Sequence, residues 1–336
     1  MVLREGRTTE VEVEKLGKTP LLLYAMVGRE TLGRPFSYEL DLLSDTAKID
    51  FSEVLGEPIH IRLQLNDLAF REFNGIVTHF SLVGGLGRYA RYRANVRPWF
   101  WLLSQGRNSR VFKGRTLPQV VAEIFGEHGG DFLDSTHENY RSWEYLVQYN
   151  ESDFNFVSRI LEQEGIYYFF KHTEKHHKLV LCDSPASHDA IKGYEVVPYF
   201  PPEFRERRER DHIDAWTVSR EIRPSTYRSR DFNFLAPANV MDVLEQGKNS
   251  PFKSLSVFDY PGEFSVPDEG REVAQTRVEE FESEMDVVHG QGNARGLSSG
   301  AVFKLENFPR DDQNLEYLLV ETSYRAQERD RRNFYG

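Results

Sequence analysis

The chain has 336 residues, enough to bury a sizeable core and to divide into two or three domains. Its 42 basic and 53 acidic side chains leave a net charge of −11, which repels nucleic acid and anionic membranes, so no nucleic-acid partner is expected. The lone cysteine, Cys182, excludes an intrachain disulfide and a cysteine-framed zinc site; within the apolar run 178–182 it reads as a buried, inert thiol.

The N-terminus, Met1-Val-Leu-Arg-Glu-Gly-Arg7, carries no apolar stretch of signal-peptide length. The longest clearly apolar run, 21–27, falls well short of the ~20 residues of a membrane-spanning helix. A soluble chain made in the cytoplasm is expected, one that leaves the cell, if at all, without a cleavable signal. The first third reads as strands. Phe36, Tyr38, Leu40 and Leu42 alternate with Ser37, Glu39 and Asp41, the period of a half-buried strand, and Ile59, Ile61, Leu63 and Leu65 alternate with His60, Arg62 and Gln64. Asn66-Asp67 offers a turn into 68–73. Segments 75–83 and 88–97 flank Gly84-Gly-Leu-Gly87 as a hairpin with a glycine-rich loop, and such a series of short strands suggests a barrel or sandwich.

A helical interval follows. Thr116-Leu-Pro-Gln119 is a capping box with proline in the first turn; Val120, Val121, Ile124 and Phe125 recur at helical spacing until Gly126 or Gly129-Gly130. A second helix starts near Ser152, with Phe154, Val157 and Leu161 on one face, Phe156 and Ile160 beside them, and Gly165 as the stop. Segment 166–170 then reads as a strand buried on both faces. Strands return at 178–182, 213–219, 301–306 and 315–321, interrupted by a helix over about 268–282 with Val273, Ala274, Arg277, Val278 and Phe281 on one stripe. The proline-rich 198–202 stretch and the mixed-charge run 204–212 read as a solvated connection. Two strand-rich regions flanking a helical insert hint at a duplicated barrel, although no residue-level repeat is found.

Candidate chemistry is sparse. Gly296-Leu-Ser-Ser-Gly300 matches G-x-S-x-G, but a nucleophile elbow needs a strand before the serine and a helix after it. Here a loop, 289–295, precedes Ser298 and a strand follows, so Ser298 is not expected to be catalytic. His172 and His176 are four apart, yet Thr173 stands where a zinc-protease helix needs glutamate, and both lie between strands, so a solvated hairpin tip is expected. Glu279, Glu280, Glu282, Glu284 and Asp286 gather near a helix C-terminus without calcium-loop spacing; they read as a solvated face or a surface for a basic partner. The 4 Trp, 16 Tyr and 24 Phe mostly occupy core-facing positions rather than a stacking platform for sugars or bases. No Walker loop, dinucleotide fingerprint or zinc ribbon occurs. No catalytic, cofactor-binding or metal residue is assigned, and no enzymatic activity is expected.

Residues 145–170 join a short strand, a capped helix, a glycine stop and an aromatic strand with almost no slack. This stretch resembles the hallmark segment of the type VI secretion spike proteins, the valine–glycine repeat protein G (VgrG) family. Segments 30–44, 73–77 (Phe-Asn-Gly-Ile-Val), 98–103 (Pro-Trp-Phe-Trp-Leu-Leu) and 258–262 (Phe-Asp-Tyr-Pro-Gly) fit in order, and the resemblance covers about 21–326. It implies an α+β, mainly β fold like the phage tail baseplate hub: a first β-barrel over 1–105, a helical α/β insertion over 106–170, and a second, similar barrel with an inserted helix over 171–336. It also implies a homotrimer, whose two barrels per chain give six like units able to seat a hexameric tube of the haemolysin-coregulated protein type. Baseplate components and effector cargo are further implied partners, and the family is exported by the secretion apparatus. Beyond Gly336 the family continues into a small barrel and a β-needle, so membrane piercing and effector activity are not expected of these residues. The alternatives are a hub of a phage tail or related contractile injection device, a hydrolase using Ser298 or a carboxylate pair, and a carbohydrate-binding module.

Overall fold

The computed structural model describes residues 8–17, 21–65, 69–203, 210–249 and 252–327. The turn expected at Asn66-Asp67, most of the charged connection 204–212 and the segment after 327 lie outside the described residues. The chain forms two compact units: the first comprises 1–162, 166–212 and 293–336, the second 163–165 and 213–292.

In the first unit, strands β1 (Thr9–Val13), β2 (Leu22–Thr31), β3 (Arg34–Ser44), β4 (Pro58–Gln64), β5 (Phe70–Leu86) and β6 (Tyr89–Arg97) lead to a helical turn α1 (Trp99–Leu102). Then come β7 (Asn108–Phe112), β8 (Arg115–Thr116), helix α2 (Leu117–Glu127), β9 (Phe132–Ser135), β10 (Ser142–Trp143), β11 (Leu146–Glu151), helix α3 (Asp153–Gln163), β12 (Tyr167–His172), β13 (His177–Cys182) and β14 (Val196–Pro198). The second unit holds β15 (Ile213–Arg220), β16 (Thr226–Arg230), β17 (Asp242–Gln246), β18 (Ser256–Asp259), helix α4 (Pro267–Ser283) and β19 (Asp286–Gly292). The chain returns to the first unit through β20 (Val302–Glu306), β21 (Glu316–Leu318) and β22 (Glu321–Gln327).

A seven-stranded antiparallel sheet, β1-β4-β5-β6-β3-β2-β22, dominates the first unit and curls until β1 approaches β2. The alternation read in β3 and β4 explains the curl. Phe36, Tyr38, Leu40, Leu42, Ile59 and Ile61 are all buried, while the intervening residues face outward. The expected glycine-rich loop is mostly strand: β5 runs unbroken from Phe70 to Leu86 and turns at Gly87-Arg88. Bulges between Val77 and His79 and between Leu82 and Gly84 absorb the mismatch with β6. The expected strand 315–321 divides, because the chain changes sheets there. The Leu319 N–H bonds the Ala301 carbonyl, and the Leu32 N–H bonds the Val320 carbonyl.

Helix α2 begins as expected, with the reciprocal Thr116–Gln119 capping box formed. It buries Val120, Val121, Ile124 and Phe125. Gly126 lies inside the helix, and the chain leaves it at His128-Gly129. Helix α3 buries Phe156, Val157, Ile160 and Leu161, the Ser152 hydroxyl accepts the Asn155 N–H, and Gly165 (φ +70°) ends the run. These helices share one core with the curled sheet. Phe100 sits at its centre, ringed by Trp99, Phe125, Phe154 and Tyr168 at centroid distances of 5.0–5.8 Å. The parallel pair β9–β13, the antiparallel pair β12–β13, and the sheet β14-β20-β21 complete the first unit's main pairings.

In the second unit, β15 and β19 form an antiparallel ribbon, and α4 packs on the sheet β17-β16-β18. Tyr227, Met241, Val243, Phe264, Ala274 and Val278 form its core. Among the described residues no helix is long and apolar enough to cross a membrane.

Candidate functional site

The densest polar arrangement in the first unit centres on Glu30, a buried carboxylate in β2. Arg71, from β5, donates from Nη2 to both Glu30 oxygens at 3.1 and 3.3 Å. Its Nη1 reaches the carbonyls of Arg295 and Leu297 at 2.9 and 2.6 Å. The guanidinium lies over the rings of Phe73 and Tyr324, 4.5 and 4.6 Å from their centroids. Glu30 also accepts from the Tyr38 hydroxyl at 3.0 Å, the Ser299 N–H at 3.3 Å, the Thr322 hydroxyl at 3.4 Å and the Tyr324 hydroxyl. Strand pairing brings these groups together: Gly28 in β2 lies opposite Tyr324 in β22. A Cβ on Gly28 would stand 2.0 Å from the Tyr324 ring, so the strand needs glycine there.

A second branch runs through His172. The Asn74 N–H donates to Nδ1 at 3.0 Å, which fixes the proton on Nε2. That Nε2 lies 2.9 Å from the Tyr38 hydroxyl, which donates onward to Glu30. The result is a directed chain of hydrogen bonds through a neutral imidazole, and burial lowers the His172 pKa to about 4. Burial pushes the Glu30 carboxyl up, but Arg71 and the two phenols outweigh it and hold the group ionised. Burial, and then the Glu30 charge, raise both Tyr38 and Tyr324 well above the ordinary phenol range. Every proton in this cluster is therefore fixed at neutral pH. The arrangement ties β2, β3, β5 and β22 together through one buried ion pair and its hydrogen bonds.

The G-x-S-x-G pattern is absorbed into the same structure. Ser298 precedes β20, and its two neighbours serve the ion pair, the Leu297 carbonyl accepting from Arg71 and the Ser299 N–H donating to Glu30. The glycines answer to packing: a Cβ on Gly296 would meet the Tyr194 ring at 2.1 Å, and Gly300 (φ +83°) lies against the Phe169 ring. Gly300→Ala is expected to destabilise the chain by more than ~1 kcal/mol, whereas Ser298→Ala stays within about 0.5 kcal/mol, both read from urea midpoints. Labelling of Ser298 by a fluorophosphonate, or a large loss on Ser298→Ala, would contradict this assignment.

The histidine pair separates. His176 lies at the exposed hairpin tip, as expected, but His172 is half-buried at the end of β12, because its ring turns inward to Tyr38. His177, which drew no notice in the sequence, is buried and accepts the Trp99 N–H at 3.0 Å on Nε2; burial lowers its pKa to about 3. Cys182 is buried, as read, and burial raises its thiol to about 12. The acidic group near α4 is dispersed among partners: Glu280 pairs with Arg277, Glu284 with Arg223, Asp286 with Arg220, and Glu282 accepts from Asn249. Glu127, His128 and Asp153 lie close enough to hold a metal ion. However, Arg110 donates to Glu127 at 2.6 Å and to Asp153 at 2.9 Å, supplying the positive charge a cation would bring.

A curled antiparallel sheet, tied together by a buried ion pair and packed on helices through an aromatic core, is the scaffold found in phage tail hub proteins. Solved structures with this fold include the Escherichia coli c3393 protein, a type VI secretion component described as structurally similar to the T4 phage tail proteins gp27 and gp5 (TM-score 0.71, 20% identity, covering 96% of this chain and 74% of that one). Another is the 43 kDa tail protein of prophage MuSo2 from Shewanella oneidensis (TM-score 0.64, 11% identity, 95% of each chain). Residues 29–329 match the family model of the phage tail baseplate hub (GPD). Two type VI secretion system spike proteins of Pseudomonas aeruginosa, VgrG1b and VgrG1a, are 41% and 40% identical over 93% of this chain. The chain belongs to the phage tail baseplate hub family and, within it, to the VgrG spike proteins. It spans 42% and 48% of the lengths of those two relatives. The expected α+β, mainly β, hub-like fold class is thus the observed one.

Proposed function

We propose that this chain is the hub of a type VI secretion spike, a structural part without enzymatic activity that assembles as a homotrimer and seats a hexameric tube. The observation that carries this reading is the 41% identity to a spike protein across 93% of the chain. The saturated Glu30 centre and the structural use of the 296–300 loop support a scaffold over a hydrolase. Part of the proposal is the division into a first barrel over 1–105, an α/β insertion over 106–170 and a second barrel region over 171–336. So are contacts with baseplate components and effector cargo, and export by the apparatus itself. Three chains with two like barrels each would offer six equivalent seats to a six-membered ring. Light scattering over a concentration series is expected to give three times the chain mass, and the trimer should co-sediment with tube rings. A monomer at every concentration that ignores the rings would overturn the reading.

A further inference from the structure

The β12–β13 hairpin closes a gap in the curled sheet. Strand β6 stops at Arg97, opposite Ile76, so the part of β5 before Ile76 has no β6 neighbour. The chain then turns into α1 behind Pro98, which leaves the Trp99 N–H as a first-turn donor without an acceptor in its own helix. Two backbone donors, on Asn74 and Trp99, therefore need acceptors inside the first unit. Both find an imidazole. The Asn74 N–H bonds Nδ1 of His172 and the Trp99 N–H bonds Nε2 of His177, each at 3.0 Å. The two histidines face each other as a cross-strand pair of β12 and β13, with ring centroids 6.1 Å apart.

These bonds hold on one condition. An imidazole accepts only while it is neutral, since the protonated ring carries a hydrogen on both nitrogens. A proton added to either ring sets its N–H against a backbone N–H, and a strand or helix amide cannot turn away as a side chain can. Glu30 and Arg71 face His172 with opposite effects, Glu30 favouring the charged ring and Arg71 opposing it, while Nε2 meets the Tyr38 hydroxyl. His172 and His176 face His177, and both oppose its charge. The Asp131 carboxylate is engaged by His176 and Lys178 at 3.6 and 3.4 Å. Burial outweighs Glu30, so both rings resist protonation in place.

We propose that the His172–His177 pair is an acid-sensitive latch: neutral, it docks the hairpin end 171–178 against β5 and α1, and protonated, it releases that end while the sheet behind stays paired. The sheet has its own support, the β3–β6 ladder running over seven residue pairs from Tyr38–Val96 to Ser44–Ala90 without either histidine. Release would uncover Phe36, whose buried ring packs on both imidazoles at 5.0 and 5.3 Å. It would also free Asn74, whose Nδ2 donates to the carbonyls of Thr173 and His176 at 2.7 and 3.2 Å.

Hydrogen–deuterium exchange of the full chain, read by mass spectrometry at pH 7.5 and 5.0 and corrected for intrinsic rates, tests the latch. A released histidine titrates near ~6.5, against about 4 for His172 and about 3 for His177 when docked. The open hairpin therefore binds more protons, and opening at pH 5.0 should be easier by about 30-fold for each ring and roughly 10³-fold for both. The expected result is a loss of protection of that size at 171–178, Asn74 and Trp99, with these amides exchanging faster at pH 5.0 than the β3–β6 ladder. Glutamine accepts the same N–H groups without titrating, so the double variant His172→Gln/His177→Gln should flatten the pH dependence. Hairpin protection that ignores pH, or that matches the ladder's at pH 5.0, overturns the latch. So does a double variant that keeps the parent's pH response. If that variant does not fold, the comparison of hairpin with ladder in the parent chain decides.

Discussion

Glu30→Ala is expected to destabilise the first unit by about 3–5 kcal/mol, the cost of leaving a buried charge without its partner. Removing the carboxylate strands Arg71 between two aromatic rings with only carbonyls to bond, and frees the hydroxyls of Tyr38 and Tyr324 together. Arg71→Met alone is expected to cost a similar amount, because it leaves an uncompensated carboxylate beside two phenols. The double variant Glu30→Leu/Arg71→Met should cost clearly less than the sum of the two, since neither charge remains. Urea unfolding followed by tryptophan fluorescence reads this directly, as Trp99, Trp101 and Trp143 all lie in the first unit. Additive single costs, or a loss below ~1 kcal/mol for Glu30→Ala, would show that the strands are held without the ion pair.

Acid is expected to weaken the fold well before the carboxylates titrate. His172 and His177 are held neutral, with pKa values lowered to about 4 and about 3 by burial. An unfolded histidine titrates near ~6.5, so between that value and the folded pKa the unfolded state binds more protons. Stability therefore rises with pH in this window: it is complete above pH ~6.5 and falls as the pH drops toward 4 for His172 and 3 for His177. The shift at His172 corresponds to on the order of 3 kcal/mol, and that at His177 to at least as much. Unfolding free energies from urea titrations at pH 7.5 and 4.5 should differ by several kcal/mol, with the midpoint lower at pH 4.5. His177→Gln, whose amide oxygen can still accept the Trp99 N–H, should remove part of the difference. Midpoints that do not move between those two pH values would contradict the burial of both rings.

Local patterns carried much of this architecture, and long-range partners carried little. The alternation in β3 and β4, the capping box of α2 and the buried face of α3 are each written within a dozen residues, so period and end signals suffice to find them. The Glu30 centre is different. Its members lie 8, 41 and 294 residues from Glu30, and only strand register brings them together. One signal was available: Gly28 stands alone within an otherwise strand-like run, the usual mark of another group approaching the backbone closely. The sheet of the second unit escaped for another reason. Strands of four or five residues with polar outer positions at Arg228 and Arg230 show too little alternation to be read.

The pairing of β2 with β22 sets a timetable. On a ribosome adding roughly 5–20 residues per second, Glu30 emerges some 15–60 s before Tyr324. Throughout that interval β2 has a bare edge and the carboxylate lacks its last hydroxyl. The nascent sheet is thus incomplete until synthesis has passed Tyr324, and a chain stopped before that point keeps the Glu30 carboxylate without its partners on β22.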